Sequence, residues 1–138
     1  KNSLYNNNIG TICGDKNGHI YIRCKYAVVE YDIRKNIFHT IRNNNIQAID
    51  YGNSRLWVCT RDSLFTYNRK EDKLEYYYHL DSVRISCVTE DHEGNLYVGT
   101  MNKGLYIIDS NKKWLNYLPE KDITCIYEDS KKEYLGRN

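Results

Sequence analysis

Five cysteines and four histidines are the residues of this 138-residue chain best suited to metal binding or nucleophilic chemistry. The cysteines are odd in number and form no C-x-x-C pair, which excludes complete intramolecular pairing and disfavours a zinc cluster. We therefore interpret them as small, buried strand residues, with a redox or metal role as the less favoured alternative. The residues concerned are Cys13, Cys24, Cys59, Cys87 and Cys125, with His19, His39, His79 and His92.

Carboxylates offer one further candidate for chemistry. Asp91 and Glu93 are spaced like an acid/base pair, but carboxylates in an Asp-x-Glu-Gly stretch most simply cap turn amides. The sequence contains no G-x-S-x-G, Walker loop, H-E-x-x-H or G-x-G-x-x-G motif. We predict no catalytic residue, no metal site and no cofactor.

A repeat explains the positions of the histidines, since His19 and His92 lie in first-turn segments and His39 and His79 lie in fourth strands. Related segments begin at Ile9, Ile46, Ile85 and Ile123, so the spacings are 37, 39 and 38 residues. Each opens with two apolar residues three apart, passes through an acidic or glycine-containing turn, and enters an apolar run around an aromatic residue. A period of this length is typical of solenoids and propellers.

Within each copy the apolar runs are short, rich in β-branched and aromatic residues, and bounded by Gly, Asn and Asp, as in strands. A copy of about 40 residues that contains four such runs fits a β-propeller blade, which buries its faces only against neighbouring blades. The sequence thus predicts an all-β fold of four-stranded antiparallel blades. We expect one partial propeller over residues 1–138, with repeats at approximately 9–45, 46–84, 85–122 and 123–138, or about 3.5 blades.

Composition limits the partners. Twenty basic and eighteen acidic side chains leave a net charge of +2, which gives no strong field for nucleic acid. No run of 18 apolar residues and no signal peptide is present. Because the chain starts without methionine and stops inside a repeat, we expect an excerpt of a longer protein, attached to a membrane only through other parts of that protein.

The third copy, ISCVTEDHEGNLYVGTMNKGLYIID, resembles the two-component regulator propeller repeat, whose pattern is approximately I-x-x-I-x-E-D-x-x-G-x-L-W-I-G-T-x-x-G-L. The other copies are more degenerate: the first has Arg23 and Cys24, and the second has Cys59, where the pattern has Gly-Thr or Gly. The matching residues of the third copy are Ile85, Val88, Glu90, Asp91, Gly94, Leu96, Tyr97, Val98, Gly99, Thr100, Gly104 and Leu105.

The resemblance implies a role outside the cytoplasm. Such repeats build the periplasmic sensor region of hybrid two-component histidine kinases in glycan-degrading bacteria, which detect oligosaccharides. We therefore expect part of a periplasmic, ligand-sensing propeller that is not itself an enzyme, with kinase activity in the parent protein. The alternatives are a protein-interaction propeller scaffold and, less favoured, a carbohydrate-active propeller enzyme.

A propeller ligand is expected where the loops between strands two and three and between successive blades converge. In this chain those loops are residues 23–27, 61–63 and 101–103, with 43–45, 81–84 and 120–122. Their polar side chains could bond sugar hydroxyls or meet a sulfate or uronate. The candidate ligand-binding residues are Arg23, Lys25, Tyr26, Arg61, Asp62, Asn102 and Lys103.

Large aromatic residues stand at one position of every copy. We expect Tyr21, Trp57 and Tyr97 to pack between blades, whereas Trp114, in an outer strand, suits a chain contact. Open blade edges invite pairing with another chain. We therefore expect self-association, in which a two-fold partner could complete seven blades by combining the last copy with the N-terminal segment 1–5.

Overall fold

The computed structural model describes residues 9–43 and 45–127. It contains three four-stranded antiparallel sheets, each with its strands in chain order, and no helix is assigned in those two ranges. The predicted all-β fold of four-stranded blades is confirmed.

Blade 1 consists of β1 Ile9–Gly14, β2 His19–Cys24, β3 Ala27–Asp32 and β4 Ile37–Asn43. Blade 2 consists of β5 Ala48–Gly52, β6 Arg55–Cys59, β7 Ser63–Asn68 and β8 Lys73–His79. Blade 3 consists of β9 Ile85–Glu90, β10 Leu96–Thr100, β11 Leu105–Ile108 and β12 Trp114–Tyr117.

The hairpins that join the third and fourth strands share one backbone device. One residue in each adopts a positive φ, at 55° for Asn36, 52° for Asp72 and 64° for Lys112. Asn and Asp tolerate this left-handed conformation better than other residues with a Cβ, because their short polar side chains bond locally. The sequence therefore places a turn former in this hairpin of blades 1 and 2, whereas blade 3 has Lys112.

The core lies between blades. The cluster between blades 1 and 2, here called the 1–2 seam, includes Tyr21, Val28, Ile49, Leu56 and Val58. The cluster between blades 2 and 3, the 2–3 seam, includes Trp57, Leu64, Val83, Leu96, Val98 and Ile108. Because β6 lies between the two clusters, both of its faces are covered and Leu56 to Cys59 are all buried, which explains its nearly continuous apolar sequence.

The loops of the three blades form two opposite faces of the molecule, here called the loop face and the turn face. The loop face is formed by the β2–β3, β6–β7 and β10–β11 turns together with the connections between blades. The turn face is formed by the β1–β2, β5–β6 and β9–β10 turns together with the third-to-fourth-strand hairpins. The innermost strand of blade 2, β5, contacts both β1 and β9.

The fourth copy differs from its prediction in the described residues. No strand is assigned to residues 123–127, although the Ile123 amide donates to the Thr100 carbonyl at 2.8 Å. A strand needs a ladder partner. The predicted partner, the run around Tyr134, lies outside the described residues, as do Glu128 and segment 1–5. In the described ranges, no helix has the length and apolar character needed to cross a membrane.

Candidate functional site

An open pocket lies on the loop face between blades 1 and 2, where the β2–β3 turn meets the connection from β4 to β5. Its volume is about 270 Å³. Whole small-molecule sites occupy roughly 300–1,000 Å³, so this pocket has room for about one ring-sized or charged group. It is lined by Gly10, Arg23, Lys25, Asn45, Ile46 and Gln47.

Arg23 forms one wall of the pocket. It is the fifth residue of β2 rather than a loop residue, because β2 extends to Cys24 and only Lys25 and Tyr26 form the turn. Its Nη1 donates to the Ile46 carbonyl at 3.2 Å, while its Nε is buried and finds no hydrogen-bond acceptor within residues 9–43 and 45–127. The guanidinium lies against Gly10, where an added Cβ would collide with it.

Lys25 and Tyr26 occupy the exposed turn beside Arg23. The Lys25 ammonium lies 5.1 Å from the centre of the Tyr26 ring, a cation–π contact at the surface. Tyr26 is 45% exposed, so its ring is open to a ligand as well as to Lys25. The two residues supply an exposed cation and a flat aromatic surface next to the guanidinium of Arg23.

The connection between blades completes the pocket. The Gln47 amide donates to the Cys59 carbonyl at 2.8 Å, which fixes this segment to the end of β6. The Gln47 side chain donates to Asn45 Oδ1 at 3.1 Å. The rim therefore offers side-chain amides, while none of the six lining residues is acidic.

Two predicted residues of blade 2 lie apart from this pocket. Arg61 is exposed, and its carbonyl accepts the Ile85 amide at 2.7 Å. Asp62 is half-buried, with its carboxylate accepting from the Ser63 hydroxyl at 3.0 Å and lying 3.6 Å from His79 Nδ1. Arg61 leaves its guanidinium available at the loop face, whereas Asp62 shares its oxygens with neighbouring side chains.

The predicted residues of blade 3 support the loop itself. Asn102 Oδ1 accepts the Arg84 amide at 3.1 Å, and its Nδ2 donates to the Ser82 carbonyl at 3.1 Å. The Lys103 amide donates to the Thr100 hydroxyl at 2.9 Å. The Asn102 side chain therefore ties the β10–β11 turn to the connection from blade 2.

Sequence reasoning placed Arg23 and Lys25 at the pocket but missed Gly10, Ile46 and Gln47. Ile46 is a repeat anchor, and its role in the pocket comes through its carbonyl, which a side-chain pattern does not reveal. Gly10 lies within a bulge in β1, where the register with β2 shifts between Ile9 and Ile12. An isolated glycine inside a strand is the sequence signal that could have indicated this close approach.

The turn face carries charged groups that are already paired. A pocket of about 200 Å³ there includes Asp15, Arg55 and Arg69 in its lining. The Asp15 carboxylate accepts from His19 Nδ1 at 2.7 Å, Arg55 forms an ion pair with Glu90, and Arg69 forms one with Glu30. The charged side chains of this pocket are therefore engaged with other residues of the chain.

Asp91 acts as a turn cap. Its Oδ1 accepts the Glu93 amide at 2.9 Å and the Asn95 amide at 2.8 Å. Burial alone would raise the pKa of Asp91, but these hydrogen bonds hold it below the ordinary value of 3.8. The carboxylate is committed to the β9–β10 turn, which agrees with the structural interpretation of the Asp91/Glu93 pair.

The cysteines occupy strand positions, apart from Cys125. Cys24 and Cys59 are buried, Cys13 and Cys87 are half-buried, and none of the five cysteines forms a disulfide. Burial, reinforced by the charge of Asp50, raises the pKa of Cys13 to about 12, and burial also raises the pKa of Cys59. Thiols protonated in this way are poor nucleophiles. Within residues 9–43 and 45–127, no three His, Cys, Asp or Glu side chains are grouped to hold a metal ion.

Two of the three aromatic residues expected to pack between blades do so. Tyr21 and Trp57 are fully buried in the two seams, whereas Trp114 is 47% exposed and its ring lies 5.3 Å from that of Tyr106. Tyr97 is half-buried on the side of blade 3 that faces away from blade 2. The first two aromatics are therefore packing residues and not sugar platforms.

Comparison with known families matches residues 79–102 to the two-component regulator propeller. The matched segment spans the last residue of β8, the connection into blade 3, β9, β10 and the first two residues of the following turn. The resemblance read from the third copy is confirmed. No curated protein sequence matches the chain significantly.

Solved structures share the fold. Two crystal structures of the BT4673 extracellular domain from B. thetaiotaomicron match, one described as a putative one component system and the other as a putative hybrid two component system. They have TM-scores of 0.74 and 0.76 and identities of 21% and 22% over 94% and 95% of this chain. This chain spans 20% of the length of each BT4673 chain. Kuenenia stuttgartiensis hydrazine synthase matches 83% of this chain at TM-score 0.69 and 15% identity, over 37% of its own chain.

Proposed function

We propose that this chain, which carries a two-component regulator propeller repeat, is part of the extracytoplasmic ligand-sensing propeller of a two-component signal-transduction regulator. The observation that carries the proposal is the match at residues 79–102. The similarity in fold to extracellular domains of such systems supports it. The chain contributes recognition and no catalysis, and a sensor histidine kinase elsewhere in the parent protein transmits the signal.

The ligand in this proposal is an oligosaccharide bound at the loop face of a periplasmic propeller. The loop face offers Arg23 and Lys25 in the lining of one pocket, Tyr26 exposed in the adjoining turn, and Arg61 exposed on the next blade. Guanidinium, ammonium and amide groups donate hydrogen bonds to hydroxyls and anionic substituents, and an exposed ring can stack on a sugar. Asn102 and Lys103 hold the neighbouring loop of blade 3 in place.

Titration calorimetry tests this function directly. The 138-residue chain is titrated with a panel of neutral, uronic and sulfated oligosaccharides, with the free monosaccharides as controls. We expect at least one oligosaccharide to bind with a dissociation constant of about 1 mM or tighter, which corresponds to roughly 4 kcal/mol of binding free energy. If neither this chain nor the whole extracytoplasmic region of its parent protein binds any member of the panel, the sensing function is wrong.

A specific surface also supports self-association. On the side of blade 3 that faces away from blade 2, Leu115 is 60% exposed and Tyr117 is 48% exposed. Both residues lie in β12, the outer strand of blade 3, which pairs only with β11 among the described strands. An outer strand with apolar side chains and free backbone groups favours pairing with a second copy of the chain. This surface would equally serve the alternative function of a protein-interaction scaffold.

Light scattering at micromolar concentration measures this association. We expect a mass of about twice 16.4 kDa, reduced to the monomer by Leu115→Glu because a charge is costly to bury in an interface. Lys113→Glu, at an exposed neighbouring position, is the control and should leave the mass unchanged. A monodisperse, folded monomer of the unmodified chain would contradict self-association.

A further inference from the structure

Arg23 breaks the symmetry of the repeats. Its position is held by Cys59 in blade 2 and by Gly99 in blade 3, both of them small. In blade 3 the space above Gly99 is filled by Cys87 and by Ile123, the first residue of the following copy. Blade 1 places a long cation there instead, next to Ile46, the first residue of the copy that follows it.

Making room for Arg23 requires two local changes. Gly10 removes the side chain that would collide with the guanidinium, and β1 bulges between Ile9 and Ile12 where it pairs with β2. The resulting fit leaves the Nε–H of Arg23 buried without an acceptor in the described ranges. A buried donor without a partner is unfavourable for folding. Departures from local rules of this kind are expected at functional sites.

The surroundings of Arg23 are suited to an anion. Lys25 lies in the same lining, and the structure gives neither cation an ion pair with a carboxylate within residues 9–43 and 45–127. The amides of Asn45 and Gln47 stand on the rim, and the lining contains no acidic residue. A guanidinium is the side chain best matched to the planar oxygens of a carboxylate or to a sulfate.

We propose that the Arg23–Lys25 pocket binds a carboxylate or sulfate group carried by the oligosaccharide, so that the propeller recognises an acidic rather than a neutral glycan. This inference rests on the proposed glycan-sensing function and specifies the ligand class of that site. Arg23 fixes the position of the anion, Lys25 adds a second charge from the turn, and Tyr26 offers a face for the sugar ring.

The test compares acidic and neutral sugars of the same size. Trigalacturonate, its carboxyl-reduced neutral counterpart, a sulfated galactotriose and inorganic sulfate are titrated into the chain at constant ionic strength. Calorimetry gives affinities, and the ¹⁵N-labelled Arg23 Nε–H signal reports contact with the anion. We expect at least one acidic trisaccharide to bind at least 10-fold more tightly than the neutral one and to shift the Arg23 signal.

Matched variants separate the pocket from general surface charge. Arg23→Gln should weaken acidic trisaccharide binding at least 10-fold and Lys25→Gln about 3-fold, because charge-assisted hydrogen bonds are lost. Gly10→Ala displaces Arg23 without removing it and should act like Arg23→Gln, so the test does not depend on one variant folding. Arg34→Gln and Lys35→Gln, at exposed positions of the β3–β4 hairpin on the turn face, are the controls and should change affinity by less than 2-fold.

The outcomes separate the two proposals. Equal binding of neutral and acidic trisaccharides, unaffected by Arg23→Gln and Gly10→Ala, would overturn the acidic pocket and leave glycan sensing intact. Arg23-dependent binding of inorganic sulfate without binding of any sugar would show an anion pocket but overturn its assignment to an acidic glycan. Failure of all four probes to bind would overturn the acidic pocket.

Discussion

The 1–2 seam and the 2–3 seam have different side chains at an equivalent repeat position, and each is matched by a different partner. At one repeat position the 2–3 seam has Glu90, whose carboxylate accepts from Arg55 at 2.8 Å and from Trp57 Nε1 at 2.7 Å. At that position the 1–2 seam has Tyr51, whose ring stacks on Tyr21 with centres 5.8 Å apart and planes 4° apart. The position tolerates either a buried charge or an aromatic ring, provided that its partner on the preceding blade is complementary.

The 1–2 seam also contains an ion pair, but there the cation belongs to the following blade and the anion to the preceding one. Arg69, in the hairpin of blade 2, pairs with Glu30 of blade 1 and donates to the Tyr21 hydroxyl at 2.5 Å. In the 2–3 seam the cation comes from Arg55 of the preceding blade and the anion from the following one. The comparison shows that repeats preserve the need for charge compensation at a seam without preserving the residues that provide it.

The largest effect should follow from removing the buried anion of the 2–3 seam. Glu90→Ala leaves Arg55 and the indole N–H of Trp57 without their acceptor in a site where the Glu90 side chain is 1% exposed. Breaking such a buried pair costs about 3–5 kcal/mol, and because Arg55 is 39% exposed we expect about 2–3 kcal/mol.

Urea unfolding followed by tryptophan fluorescence measures this loss, since Trp57 lies at the altered site. Tyr51→Phe, at the equivalent position of the 1–2 seam, retains the stacked ring and is the control, with an expected change below about 1 kcal/mol. Equal losses in the two variants would contradict the chemical difference between the seams.

Breaking the ion pair of the 1–2 seam should cost less. Arg69→Met keeps much of the aliphatic packing but removes the cation from Glu30 and the donor from the Tyr21 hydroxyl. Arg69 is 49% exposed, so water replaces part of the interaction, and we expect a loss of about 1–2 kcal/mol in unfolding free energy. Lys70→Met, at the exposed neighbouring position, should stay within about 0.5 kcal/mol of the unmodified chain in the same urea titration.

A smaller, pH-dependent effect distinguishes the seams further. Burial first, and the charge of Glu90 in addition, raise the pKa of Asp50 above its ordinary value of 3.8, although the hydrogen bond from Thr89 opposes the shift. The folded state therefore favours the protonated form. The contribution of Asp50 to the free energy of unfolding is complete below the pKa that it has in the unfolded chain. This contribution is lost as the pH rises through the pKa of Asp50 in the folded chain.

Asp50→Asn imitates the protonated form at every pH and can still accept from the Thr89 hydroxyl. We expect this variant to be more stable than the unmodified chain at pH 7, with the advantage disappearing below about pH 3.8, the ordinary Asp value. Unfolding free energies at pH 7, 5 and 3 measure the difference, with the exposed Asp122→Asn as control. An advantage that grows on acidification would show that the sign is wrong.

The strands of all three blades could be predicted from the sequence because their determinants are local: apolar runs, turn residues and a period near 38. The role of Arg23 could be predicted only in part. Its place near the loop face followed from the repeat register, but its contact with the Ile46 carbonyl depends on how blade 2 is placed against blade 1. The Glu90–Arg55–Trp57 cluster was missed for the same reason, since it joins different copies and repeat alignment compares residues without pairing them.

The cross-seam contacts also determine how such a chain can be made. They join residues from 23 apart, for Arg23 and Ile46, to 48 apart, for Tyr21 and Arg69. Each blade therefore meets its partner after about one further repeat has emerged from the ribosome, and no distant segment is needed for that step. Nearest-neighbour coupling of this kind allows blades to be added in order during synthesis. It also allows a propeller gene to gain a blade by duplication while the earlier seams keep their contacts.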